Sequence, residues 1–173
     1  PPTLLPYRVR VAGRMKDNPR HASPGTWHDD AMLLVFISGR GVYRVKKHER
    51  KVVAPLLGIV LPEAPRGILM ADGQTPYDHI YCRFSGDLAL ETSRRIVESM
   101  KTPPFTMITD DWTRIVEVAK NIVKLQYSDG ARTVDATAER VRPVDAELAK
   151  LLAILDCAGI PPEHGLTLER IRT

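Results

Sequence analysis

Apolar and polar residues alternate over residues 5–11, LPYRVRV, which puts Leu5, Tyr7, Val9 and Val11 on one face and Arg8 and Arg10 on the other. A period of two is the mark of a half-buried strand. Residues 15–27, MKDNPRHASPGTW, are rich in Pro, Gly, Asn and Ser and read as a loop. The unbroken apolar run at 32–37 predicts a strand buried on both faces. A Ser-Gly-Arg-Gly turn after it predicts a hairpin partner over 42–45. Further short strands are expected at 51–53, 59–61, 67–70 and 78–84, separated by turns containing Pro and Gly. Seven short strands with regular turn signals argue for an antiparallel sandwich or barrel.

After Gly86 the period changes to that of helices. Asp87 can cap a helix running to about residue 100, with Ala89, Ile96, Val97 and Met100 on one stripe. Thr102, Pro103 and Pro104 stop it. Asp110 or Asp111 caps a second helix, in which Trp112, Ile115, Val116, Ala119, Ile122 and Val123 keep helical spacing up to a Ser-Asp-Gly stop at 128–130. Residues 128–143 read as a linker, and a third helix is expected over about 145–158. The organisation expected is a β-barrel over 1–86, a helical segment over 87–130, and a linker with the possible start of a further helical domain over 131–173.

With 173 residues and 43% hydrophobic composition the chain can bury a real core. Its longest apolar run, at 31–37, is far too short to span a bilayer. The chain begins at Pro1 with no signal peptide visible, and is expected to be trimmed or drawn from the middle of a longer polypeptide. Cys82 and Cys157 lie far apart without metal-type spacing, which suggests two reduced thiols in a cytoplasmic protein. The net charge of +4 is mild. Much of it is read as scattered over element faces, at Arg8, Arg10, Arg94, Arg95, Lys120 and Lys124, with no block resembling a nucleic-acid arm.

Barrel enzymes of the cupin class hold iron, manganese or zinc with a His-x-His-x(3–4)-Glu set on one hairpin and a later His, because three or four N/O ligands must converge on one centre. Counted back from Gly41, those positions fall here on His28, Asp30 and Leu34, and the late His falls on or beside Arg66. Leu34 cannot ligate and a guanidinium repels a cation. No resident metal, no cofactor and no catalytic residue are therefore expected. No nucleophile elbow or phosphate-cradling Gly-rich loop is present, and His79 and Cys82 point to opposite faces of their strand.

A pocket stripped of such chemistry suggests a receptor. Small-molecule sites are concave and mostly apolar, with a few convergent polar groups. Trp27, Tyr43, Tyr77 and Tyr81 are candidates to face a small ligand, though each also fits as an ordinary core or rim aromatic. Tyr77, His79, Tyr81 and Arg83 share one strand face, either lining a pocket or facing water, with Ile80, Cys82 and Phe84 on the other. His28 is a candidate hydrogen-bonding group. Arg66 can pair with an acid on a ligand or remain solvated.

In the order of its pieces, the chain resembles the N-terminal sensing and dimerisation domain of AraC-type bacterial transcription regulators. The pieces are HDDAMLLVFISGRGVYRV, then GIVLPEAP, then YDHIYCRFSG leading into helices, and the likeness covers roughly residues 7–127. The resemblance implies a mainly β fold with C-terminal helices: a cupin-like antiparallel β-barrel, or jelly roll, followed by a helical dimerisation segment. It implies a small-molecule effector; the aromatics of this chain suggest a sugar and its basic groups an organic acid, with Trp27, His28, Tyr43, Arg66, Tyr77, His79 and Tyr81 as the candidate contacts. The stripe Trp112, Ile115, Val116, Ala119, Ile122 and Val123 must bury either on the chain's own barrel or on the same helix of a second subunit, and the resemblance favours the homodimer. The tail RPVDAELAKLLAILDCAG and LTLERI looks like the opening of that family's helix-turn-helix domain. Operator DNA would then be read only by a C-terminal domain whose recognition helix lies beyond Thr173. Arg66 departs from the His many members carry. The competing expectations are a small metal-dependent cupin enzyme, an isomerase or dioxygenase, and a dimerisation module with no effector at all.

Overall fold

A computed structural model of the chain describes residues 5–22, 29–108, 110–128 and 141–158. Eight strands and three helices follow in order: β1 (Arg8–Met15), β2 (Ala31–Ser38), β3 (Arg40–Val45), β4 (His48–Val53), β5 (Leu56–Val60), β6 (Ile68–Ala71), β7 (Asp78–Ser85), α1 (Asp87–Glu98), β8 (Phe105–Thr106), α2 (Trp112–Ser128) and α3 (Pro143–Cys157). The strands form two antiparallel sheets, β1-β7-β2-β5-β8 and β4-β3-β6, which face each other in a jelly-roll-like sandwich. The mainly β class with C-terminal helices is as the sequence predicts.

Two apolar clusters follow from strand alternation. Met32, Leu34 and Phe36 of β2 meet Tyr43, Val52 and Leu69 of the small sheet, and fill the space between the sheets. The opposite faces of the large sheet, with Leu33, Val35, Ile80, Cys82 and Phe84, join all three helices in a second core. Every apolar residue of the β2 run is therefore used, half inward and half toward the helices.

The expected hairpin between 32–37 and 42–45 does not form. β2 pairs with β5 and β7, whereas β3 pairs with β4 and β6. Only Gly39 separates β2 from β3, and it sits at φ 77°, where glycine alone is unstrained. One such residue turns the chain from one sheet into the other. The true hairpin is β3–β4, closed by Lys46 and Lys47 between the paired residues Val45 and His48.

Other differences are smaller and have local causes. β1 pairs Val9 with Phe84 and Val11 with Arg83, which leaves Arg10 as a bulge. The extra residue flips the alternation, so Val9 is buried while Val11 is 41% exposed. Gly86, not Asp87, takes the cap position of α1; Asp87 lies in the first turn. β8 follows directly on the Pro-Pro pair and adds to the edge of β5.

α3 lies in the same core as the barrel's outer face, with Val144, Leu148, Leu151 and Leu152 fully buried. Its N-terminus is clamped to β1. Asp145 accepts from the Val9 backbone N–H at 2.8 Å, and Arg142 donates to the Val9 carbonyl. At the helix start Asp145 also accepts from the Arg142 backbone N–H at 3.1 Å and from its guanidinium at 2.9 Å. The side chains thus satisfy the outer edge of β1 at Val9 as a further strand would. The LTLERI segment and the linker at 129–140 lie outside the described residues.

Candidate functional site

The space between the sheets holds a continuous set of rings. His79, on the inward face of β7, is 2% exposed. Phe36 stacks on it with centroids 5.4 Å apart, and Tyr77 meets it edge-on at 4.7 Å. His21, which follows β1, lies 5.4 Å from His79, and Tyr81 lies 6.0 Å away. Phe105 extends the set, contacting Phe36 at 6.2 Å and Tyr43 at 5.1 Å. Edge-to-face contacts of this kind add stabilisation beyond the area they bury.

Four glycines make room for these rings. A Cβ at Gly13 would strike Tyr81, at Gly41 the ring of Tyr77 and the Met70 carbonyl, at Gly58 Phe105, and at Gly67 Tyr43, all within 3.0 Å. The sequence therefore spends backbone freedom to seat aromatic faces directly on strands and turns.

The polar atoms among the rings are neutral. His21 Nδ1 and the Tyr77 hydroxyl share a hydrogen bond of 2.6 Å. Burial pushes the His79 imidazole down to about 3, helped by His21 and opposed by Asp78. Burial also lowers His21 and raises the phenols of Tyr43, Tyr77 and Tyr81. His79 Nδ1 has no hydrogen-bond partner among the described residues. An unpaired buried polar atom costs about 1–3 kcal/mol, so a ligand group or a water molecule that bonds to it is favoured.

Charge gathers instead at the start of β2. Asp30 lies 3.0 Å from Arg83 Nε and 3.8 Å from Arg10 Nε, and burial holds its carboxyl above the usual range against both arginines. Leu34 is buried between the sheets, so it offers an apolar surface where a ligating carboxylate would stand. Among the described residues no three His, Cys, Asp or Glu side chains converge.

Of the sequence candidates, Tyr43, Tyr77, His79 and Tyr81 come together between the sheets. Tyr77 does so although it precedes β7. Arg66 is exposed on the β5–β6 turn. Trp27 and His28 lie outside the described residues. Ile115, Ala119 and Ile122 are buried against this chain's own sheet and α3, and Trp112, Val116 and Val123 are half-buried along the flank of α2. His21, Phe36 and Phe105 were missed. Only Phe105, a lone aromatic in a polar Pro-Pro stretch, carried a signal that could have been read.

No family model matches the chain, and no curated protein matches it. Solved structures that resemble it include the AraC-like transcriptional activator CuxR, at 11% identity over 88% of this chain and 50% of that one, TM-score 0.46. ToxT from Vibrio cholerae O395 is similar at 12% identity over 72% and 48%, TM-score 0.44. A cupin 2 conserved barrel domain protein from Salinispora arenicola CNS-205 is similar at 17% over 50% and 68%, TM-score 0.36. The chain spans about half the length of the two regulators. Among the described residues no helix is long and apolar enough to cross a membrane.

Proposed function

We propose that this chain is the effector-sensing and dimerisation part of a cytoplasmic AraC-type bacterial regulator, with no catalytic activity of its own. A small polar metabolite, a sugar or an organic acid, binds between the sheets and biases DNA reading by a helix-turn-helix unit C-terminal to the barrel. The observation that carries this reading is the Nδ1 of His79, without a hydrogen-bond partner among the described residues and set beside the His21–Tyr77 hydrogen bond within aromatic walls. Neutral acceptors and ring faces suit the hydroxyls and C–H faces of a sugar; Arg10 and Arg83 offer charge to an acid. For regulation to follow, the ligand must bind two arrangements with different affinity. β1 is the element that connects them, since Gly13 lies under Tyr81 on one side while Val9 is held by α3 on the other.

A second reading is favoured by one observation. The four rings seated on glycines fill much of the interior, as they would in a dimerisation module that takes no effector. A thermal-shift screen against sugars, organic acids and divalent metals separates the readings. Saturable stabilisation by one metabolite class, unchanged by chelator, supports the sensor. No stabilisation by any member supports the effector-free module. Stabilisation by a transition metal alone overturns both and returns the enzyme alternative.

A further inference from the structure

The chain's surplus of positive charge falls mainly in two stretches, residues 8–20 with five basic residues and one acidic, and the β3–β4 hairpin. Residues 40–53, which make the β3–β4 hairpin and its flanks, hold six basic residues and one acidic one, a surplus larger than the net charge of +4 of the whole chain. The three arginines are used internally. Arg40 pairs with Asp72, Arg44 with Glu49, and Arg50 donates to the Thr102 hydroxyl and carbonyl while lying over the Phe105 ring. Lys46, Lys47 and Lys51 remain exposed, with no partner among the described residues.

The turn itself carries a second signal. Lys46 sits at φ 53°, in the left-handed region. The other non-glycine residues with positive φ among those described are Asp17, Asp29 and Asp111, a type that tolerates this region. Two-residue hairpin turns normally take Asn or Gly at such a position. Lysine stands there against local preference. Lysines on an exposed sheet edge also block unwanted strand pairing, and Lys51 lies on the edge strand β4; the Lys46–Lys47 tip lies beyond the last paired residues, Val45 and His48.

We propose that the β3–β4 hairpin is a docking surface for the phosphate backbone of duplex DNA, gripped through Lys46, Lys47 and Lys51. The choice of duplex DNA rests on the regulator reading; the charge and the turn geometry do not. Three exposed ammonium groups on one hairpin complement the closely spaced charges of a phosphate backbone. Such contacts add affinity and fix orientation without reading sequence.

Fluorescence anisotropy of this chain with a labelled mixed-sequence duplex, across a salt series, tests the proposal without any effector. With three phosphates neutralised, the log–log slope against salt should be about −3. Lys46→Gly with Lys47→Ser should reduce the slope by about two and weaken low-salt binding at least tenfold. The variant should melt no lower than the parent, because glycine suits the turn. Lys124→Ser with Lys150→Ser, which removes the same charge from exposed helix positions, should leave the slope unchanged. Absence of salt-dependent binding, equal weakening by the helix pair, or equal affinity for poly-glutamate would each overturn the proposal. An absent effector response with intact duplex binding would count against the sensor reading alone.

Discussion

Asp145 reaches across 136 positions of sequence to accept the backbone N–H of Val9, and is itself fully buried. Its other oxygen lies 3.6 Å from Arg8, and Arg142 bonds both the carboxylate and the Val9 carbonyl. Helix and edge strand are therefore joined through one ionic cluster. Removing one partner of a buried pair typically costs about 3–5 kcal/mol, because the remaining groups are stranded. Asp145→Ala should lower unfolding stability by about that amount in denaturant titration. Asp145→Asn, which still accepts from Val9, should cost less. In the parent chain, α3 and β1 amides should show similar protection from hydrogen exchange. Exchange of α3 far ahead of β1 would mark the helix as a separate unit.

The buried neutral state of His79 makes stability depend on pH. Its folded-state value is about 3, against about 6.5 when unfolded. Below pH 6.5 the unfolded chain takes up a proton that the folded chain refuses. Stability is therefore full above 6.5 and falls by about 1.4 kcal/mol per pH unit down to about 3. His21, also lowered by burial, adds in the same direction. The Asp78 carboxyl, held low by its hydrogen bond from Arg14, contributes only at more acid pH. Urea titrations from pH 7.5 to 5 should show a loss of about 2 kcal/mol at pH 5, and His79→Phe should remove most of it.

The glycine–ring contacts should differ in cost. At Gly41 an added methyl meets the Met70 backbone carbonyl as well as Tyr77, and neither can move freely. At Gly13 it meets the outer end of Tyr81, which can swing. Overpacking costs about 1–3 kcal/mol. Gly41→Ala should reach the upper end of that range and Gly13→Ala the lower. Equal melting temperatures for the two variants would contradict the packing described.

The outcome of the sequence reading varied with how local each signal was. The strand count to β7 and the helices rest on periodicity within one segment and were legible; the same periodicity put Tyr77, His79, Tyr81 and Arg83 on one face but left open whether that face lines a pocket or meets water. The β2–β3 corner was misread because Gly39 and Gly41 look the same in a turn motif, whereas pairing depends on strands 20–53 residues away. The Arg10 bulge, the Asp145 clamp and the entry of His21 into the ring set likewise depend on long-range register. KKHERK at 46–51 was in plain view, but its meaning appears only once the arginines are seen to be paired internally.

Dimerisation, if carried by α2, must use the flank not already buried. Trp112, Val116 and Val123 are half-buried there, and Tyr127, 70% exposed, continues the row. Val116→Asp should shift sedimentation equilibrium from dimer toward monomer while leaving the fold intact by circular dichroism. Ile115→Asp, inside the core, should unfold the chain instead. A parent chain that is monomeric at about 100 μM, where weak obligate pairs would already associate, would remove α2 as an interface.

Histidine side-chain nitrogen NMR tests the central claim most directly, by following His79 Nδ1 while the chain is titrated with the panel of sugars and organic acids. The account predicts that one metabolite class moves the His79 Nδ1 resonance saturably, with His21 responding and the exposed His48 unaffected. A titration in which no member of the panel moves His79, or in which only His48 responds, would contradict a ligand site between the sheets.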